Sequence, residues 1–237
     1  NGVLIRENCA VRALDLVNRQ VKGVVTEEGI IRASQVIVAA GAWSSLLLQR
    51  HGIRIPQLSV RGTAFQTAPM PQVFNGCACD DEIALRRRED GGYTLAHSER
   101  NVMYLGPDAL RNIRKYLPLL RQSWRSQTFT PAQPKGFPDS WNIERTWNED
   151  EVSPFENNRV LEPQPAKSDI ISISKKFAKK FPAIGRPIIT ASWAGMIDTM
   201  PDVVPILDKA PSFDGLIIAT GMSGHGFGIG PGYGAIL

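Results

Sequence analysis

Cysteine is scarce in this chain: its 237 residues include three, Cys9, Cys77 and Cys79. An odd number with no paired framework excludes a disulfide scaffold and points to a reducing, cytoplasmic setting. Cys77-Ala78-Cys79 lacks the two-residue spacer of zinc and thioredoxin sites, and no second pair accompanies it. No metal site is expected, and the thiols read as ordinary ones. No apolar run approaches the roughly 20 residues that a membrane helix needs, and no signal peptide opens the chain. A strong charge excess is also missing. The 27 basic and 23 acidic residues leave a net charge of +4, too mild for a nucleic-acid surface. Arg86-Arg87-Arg88 and the lysines at 175, 176, 179 and 180 read as solvated faces. No internal repeat is evident. The last absence is a dinucleotide fingerprint. The near match Gly230-Pro231-Gly232-Tyr233-Gly234-Ala235 ends two residues from the last one, without room for a βαβ unit.

What is present reads as mixed α/β and α+β structure. Val3-Leu4-Ile5 and Val11 to Val17 are strand candidates. Val21 to Thr26 and Ile30 to Arg32 flank Glu27-Glu28-Gly29 as a hairpin. Val36 to Gly41 is an apolar strand, after which Ala42-Trp43-Ser44-Ser45 opens a helix with Ser44 as N-cap and Gly52 as terminator. Ile55-Pro56 to Gly62 marks a boundary. Phe65 to Leu105 reads as antiparallel strands, with an Asp90-Gly91 turn between Ile83–Arg88 and Tyr93–Ala96. Leu110, Ile113 and Leu117 share helical spacing in a helix that Pro118 should stop. Residues 122–167 carry six prolines and little regular pattern. Ser168 to Phe181 forms an amphipathic helix with Ile170, Ile173, Phe177 and Phe181 inward.

The end of the chain holds the densest signal. Trp193-Ala194-Gly195-Met196 reads as a strand leading to a Met200-Pro201-Asp202 turn. Gly215 to Gly221 is an apolar run suited to a strand covered on both faces. Gly221-Met222-Ser223-Gly224-His225-Gly226-Phe227 then begins a stretch to Gly232 with six glycines. Glycine at that density is entropically costly and suits close backbone approach to something flat or large. Pro231 fits the first turn of a helix, so the loop should feed a helix N-terminus, with free N–H groups and partial positive charge. Such an end suits an electron-rich cofactor edge, a flavin among them.

W-A-G at 193–195, P-D at 201–202, P-I at 205–206, G-L-I-I-A-T-G at 215–221 and G-H-G-F at 224–227 together resemble the C-terminal part of the D-amino-acid oxidase (DAO) family. Its members are FAD-dependent amine and amino-acid oxidoreductases. The wording from Trp193 to Asp202 is most similar to the sarcosine and dimethylglycine branch. Ala40-Gly41-Ala42-Trp43 resembles the family's second flavin-contacting segment. Val60-Arg61-Gly62-Thr63 resembles the strand that crosses into its substrate domain, where Arg61 could bind a substrate carboxylate. The resemblance covers nearly the whole chain, as the later part of a family member. It implies a partial FAD-binding Rossmann-like layer at residues 1–58 and 191–237, and an antiparallel-sheet substrate domain with flanking helices at 59–190. FAD would contact residues 40–43, Gly195 and residues 221–227. Gly195 stands where some relatives carry a flavin-linked cysteine, which implies non-covalent FAD.

The implied chemistry is oxidation of a C–N bond in a small amine or amino acid, with hydride passing to flavin N5 and an imine product. It needs placement and electrostatics more than a strong base, so no catalytic acid or base is assigned. Two positions depart from the family pattern. Ile197 stands where some relatives have arginine, and Gly228 where sarcosine-oxidase-like relatives have a carboxylate-binding lysine. Because the sequence opens at Asn1 in mid-domain, the chain is expected to be a fragment that is inactive alone. Two alternatives stand beside the oxidase reading. One is a dehydrogenase or subunit passing electrons to a quinone or partner protein, with a homo- or hetero-oligomer open. The other is a non-catalytic fragment with an incomplete FAD site.

Overall fold

The computed structural model describes residues 2–98, 100–123 and 127–237. These residues form three sheets. The first is an antiparallel meander of β1 (Val11–Val17), β2 (Gln20–Thr26) and β3 (Gly29–Arg32). The second is formed by β4 (Val36–Val38) and two strands near the chain end, β12 (Ile206–Lys209) and β13 (Leu216–Thr220). Here β13 runs parallel to β4 and antiparallel to β12. Helix α1 (Ser44–Arg50) follows β4. Leu14, Val21, Val38, Leu47, Leu48 and Leu216 bury one core between these two sheets and the helix. Residues 180 positions apart thus meet in a single layer.

The third sheet is built on β5 (Leu58–Thr67). Along one edge it pairs antiparallel with β11 (Ile189–Thr199) over its whole length. Two strands share its other edge: β8 (Tyr93–His97) pairs with residues 64–66, and β9 (Val102–Tyr104) with residues 60–61. The hairpin partner β7 (Ile83–Arg87) and the edge strand β6 (Cys77–Cys79) continue outward from β8. The short β10 (Thr128–Thr130) lies parallel to β9.

One face of this sheet is sealed by the expected amphipathic helix, α4 (Lys167–Lys180). Ile173 and Phe177 pack fully buried against Phe65, Ile83, Tyr93 and Leu95, with Ile170 and Phe181 at the margin. Each such side chain contributes about 1.5–3 kcal/mol by leaving water. Its lysines stay outside, and Lys180 pairs with Asp80 and Glu82. Residues 131–166 are irregular apart from α3 (Pro154–Asn157), whose Ser153–Glu156 capping box is tied to Arg12 by a two-pronged ion pair of 2.9 Å.

Several sequence expectations need correction. Val3-Leu4-Ile5 is not a strand: no strand among the described residues pairs with it, and its side chains are exposed. Ser44 is the first residue of α1, not its cap. Trp43 holds the cap position, and the Ser45 N–H is satisfied by the Gln57 side chain at 3.0 Å. Pro118 lies inside α2 (Pro107–Ser123) without ending it. Tyr116 anchors that helix, donating its hydroxyl to the carbonyls of Pro56 and Thr199 at 2.8 Å each. Among the described residues of the helix, Ala109 and Tyr116 are the buried apolar ones, while Leu110, Ile113 and Leu117 point outward. Finally, α5 (Gly226–Ile236) begins five residues before Pro231, because the His225 carbonyl already takes the N–H groups of Gly228 and Ile229. Pro231 therefore removes an interior hydrogen bond instead of starting the helix.

Candidate functional site

Strands β4 and β13 run parallel, so their C-terminal ends lie side by side. A ligand site in an α/β layer forms outside such ends. The turn at 41 follows β4 and the turn at 221 follows β13, and a small polar network joins them. Gln57, 2 % exposed, directs its amide nitrogen at Thr220 Oγ1 (2.7 Å), Gly41 O (3.2 Å) and Asp198 Oδ2 (3.2 Å). Asp198 Oδ2 also accepts the Gly221 N–H at 2.6 Å and faces Thr220 Oγ1 at 3.1 Å. The Ser223 N–H donates to Asp198 O at 3.0 Å. Five donor hydrogens, two from Gln57 and one each from Thr220, Gly221 and Ser223, meet Thr220 Oγ1, Gly41 O, Asp198 Oδ2 and Asp198 O. Asp198 thereby ties the end of β11 to both turns.

Gly221 is required where it stands. Its φ is +80°, and an added Cβ would overlap the Met200 side chain. Beyond it, Ser223, Gly224 and His225 form one wall of a cleft of about 390 Å³. The floor is the β5–β11 ribbon, where Gly62 opposes Gly195 and Ala64 opposes Trp193. A side chain at Gly195 would meet nothing within 4 Å, so a flat group could lie directly on the strand there. Next to this cleft is an open hollow of about 800 Å³ lined by Met222, Gly224, Gly226, Phe227, Ile197 and Asp198. Helix α5 starts at this hollow, and its first N–H groups have no partners within the helix. The donor end of a helix, a bare glycine and two joined turns fit a planar cofactor edge that carries negative charge.

The expected residues separate into two groups. Gly195 and residues 222–227 surround the cleft and the hollow, and Gly221 anchors them. Ala40, Gly41 and Ala42 hold the neighbouring turn, and Gly41 enters through its carbonyl. Trp43 points elsewhere, packing edge-on against Phe155 at 5.3 Å, which packs in turn against Trp147. Arg61 also departs from expectation. Strand alternation puts it on the face opposite Gly62 and Ala64, where it donates to Gln164 O at 3.1 Å and lies 5.9 Å from the Tyr104 ring centre. Among the described residues it is not a cleft residue.

The cation that does line the cleft is Arg100, beside Asn101 in the connection from β8 to β9. It is held by Thr128 Oγ1 at 3.1 Å and by Asp169 at 3.8 Å. The sequence offers no motif around it; only the pairing of β8 and β9 on one edge of β5 brings it in. His97 borders the same cleft, and burial holds its imidazole below the usual range. Trp193 stood out as part of a motif but not as a cleft wall.

Comparison with known proteins agrees with this geometry. The family model described as FAD-dependent oxidoreductase (DAO) matches residues 1–237. Hydrogen cyanide synthase subunit HcnC of Pseudomonas protegens is 36% identical over 93 residues, 38% of this chain and 22% of that protein. Glycine oxidase of Pseudomonas aeruginosa is 23% identical over 214 residues, 90% of this chain and 43% of that one. Among solved structures, L-amino acid deaminase from Proteus vulgaris superposes with a TM-score of 0.83 at 29% identity, over 95% of this chain and 52% of that chain. The chain thus spans about half the length of the relatives it matches along most of its own length. The family match over residues 1–237 agrees with the joined turns and the glycine-floored cleft, and the chain belongs to the DAO family of FAD-dependent oxidoreductases.

Proposed function

We propose that the protein containing these residues oxidises the C–N bond of an amine or amino acid whose carboxylate, where present, is held by Arg100. The observation that carries this reading is the cleft between the Gly195 ribbon and the Ser223–His225 wall, with Arg100 the one arginine on its rim among the described residues. Bound FAD supplies the hydride acceptor. Residues 1–58 and 191–237 would form the part facing it, and residues 59–190 the substrate side. Gly195 offers no thiol, so the cofactor is held without a covalent link at this position. Asp198 and Gln57 fix the two turns against which it rests. Arg100 orients the substrate through charge-assisted hydrogen bonds, and Asn101 can accept from or donate to its amine. Arg100 supplies the cation that the family pattern would put at position 197 or 228, where this chain has Ile197 and Gly228. Trp193 and the small floor residues keep the reacting carbon close to the ribbon and exclude water from it.

The test uses the full-length flavoprotein mixed anaerobically with amino acids and with the matching decarboxylated amines. Reduction of the flavin band by either class supports C–N oxidation, and no reduction by any of them ends it. Arg100→Leu should raise KM for the amino acid about 10- to 150-fold, the loss of one charge-assisted contact. It should change KM for the amine less than threefold. Oxygen uptake during turnover separates an oxidase from a dehydrogenase that needs another acceptor.

A further inference from the structure

The large sheet treats its two faces very differently. On the α4 side, Phe65, Ile83, Leu85, Tyr93 and Leu95 are large and buried. On the other side the register sets a row of small residues straight across five strands. Trp193 on β11 opposes Ala64 on β5, Ala64 opposes Ala96 on β8, Ala96 opposes Ala84 on β7, and Ala84 opposes Cys79 on β6. Alanine is disfavoured at open strand positions, where β-branched and aromatic residues give better cross-strand packing. Three adjacent alanines on neighbouring strands forgo that packing. Ala84 and Ala96 floor a shallow trough of about 540 Å³, bordered by Thr94 and Arg86 and walled by Trp193 at one end and by Cys77 and Cys79 at the other, and Ala64 continues the row into the cleft. Ala96 and Trp193 line both this trough and the cleft beside Gly195, so the two are continuous.

We propose that this trough receives the side chain of the substrate, which makes the substrate an amine or amino acid with a long or flat apolar side chain instead of a glycine-sized one. The inference rests on the C–N oxidation reading for the identity of the site, but its own evidence is the alanine row. The surface between Ala96 and Cys79 crosses two strand spacings, about 10 Å. That is enough for an unbranched chain lying across the strands, with its reacting carbon kept over Gly62 and Gly195. Trp193 stands at the junction and fixes where the chain turns from cleft to trough.

Two measurements on the full-length flavoprotein test this. The first is kcat/KM for glycine and for racemic alanine, norleucine and 2-aminodecanoic acid. Apolar burial predicts about a fourfold gain per methylene, hence about 60-fold from alanine to norleucine. Ala84→Leu, which blocks the far half of the trough, should lower the ratio of 2-aminodecanoic acid to alanine at least tenfold. A flat series, or an equal loss for both substrates in the variant, overturns the proposal. The second needs no turnover and no variant. Iodoacetamide labelling of Cys79, followed by peptide mass spectrometry with Cys9 as internal reference, should slow at least fivefold with 2-aminodecanoic acid present and stay unchanged with glycine. Equal rates overturn the trough. If no amine reduces the flavin but Cys79 is still protected, the oxidation reading fails and the trough stands.

Discussion

Replacing Asp198 by alanine should loosen the junction between the turns at 41 and 221, and the size of the effect can be worked out donor by donor. Three donors point at Asp198 Oδ2. Two of them, the Gln57 amide and the Thr220 hydroxyl, can fall back on Gly41 O, which both already approach at 3.2–3.3 Å. The Gly221 N–H has no such substitute, and Gly221 is buried. An orphaned buried donor costs about 1–3 kcal/mol, and the lost charge-assisted bonds add to this. Asp198→Ala should therefore destabilise by about 2–3 kcal/mol. Gln57→Leu keeps the volume but orphans the Ser45 N–H, for about 2 kcal/mol. Because the two residues share partners, the double variant should fall short of the sum by about 1 kcal/mol. Urea unfolding of the four proteins, with equal slopes, measures all three quantities. If Asp198→Ala unfolds within about 0.5 kcal/mol of the wild type, or if the two losses simply add, the network does not hold the turns together.

Other expectations follow from single sites. The His51 ring accepts the Leu14 N–H at 2.9 Å, and burial lowers its pKa to about 4. The unfolded imidazole titrates near 6.5, so the unfolded chain binds the extra proton first as pH falls. Stability is full above about pH 6.5 and declines toward pH 4 by about 3 kcal/mol; melting curves of His51→Gln should lack that component. Gly221→Ala forces a side chain onto a φ of +80° and into Met200, so it should cost more than the ~1 kcal/mol of backbone strain alone, read as a lower urea midpoint. Arg12→Met removes one half of a largely buried two-pronged pair with Glu156, whose carboxyl the guanidinium holds down at about 2. The Glu156 carboxylate then keeps only the Ser153 N–H and hydroxyl as partners, which should cost about 3 kcal/mol at pH 7, and the loss should shrink as pH falls and Glu156 takes up a proton.

How much of this could be read without coordinates differs by element. Helix α4 was legible because its stripe is an intrinsic period, and Ile173 and Phe177 fall where that period puts them. The hairpin of β7 and β8 was legible because Asp90-Gly91 is a local turn signal. Strand β13 and its glycine turn were legible because an apolar run bounded by glycines has few other uses. Pro118 misled because its local veto is outweighed by contacts far along the chain, the Tyr116 hydroxyl on Pro56 and Thr199. Pro231 misled for a local reason: the His225 carbonyl has already started α5 five residues earlier. Arg61 misled because its motif says it lies on a strand but not which face the cleft occupies.

By itself the sequence determined the periodic elements, the glycine-lined turns and the family resemblance, since each is written in neighbouring residues. The tertiary structure decided which turn meets which, that Arg100 and not Arg61 borders the cleft, and that three alanines from three strands form one row. Those facts depend on strand register and sheet order. Both are set by contacts between residues tens to hundreds of positions apart, and such pairings leave no local trace in the chain.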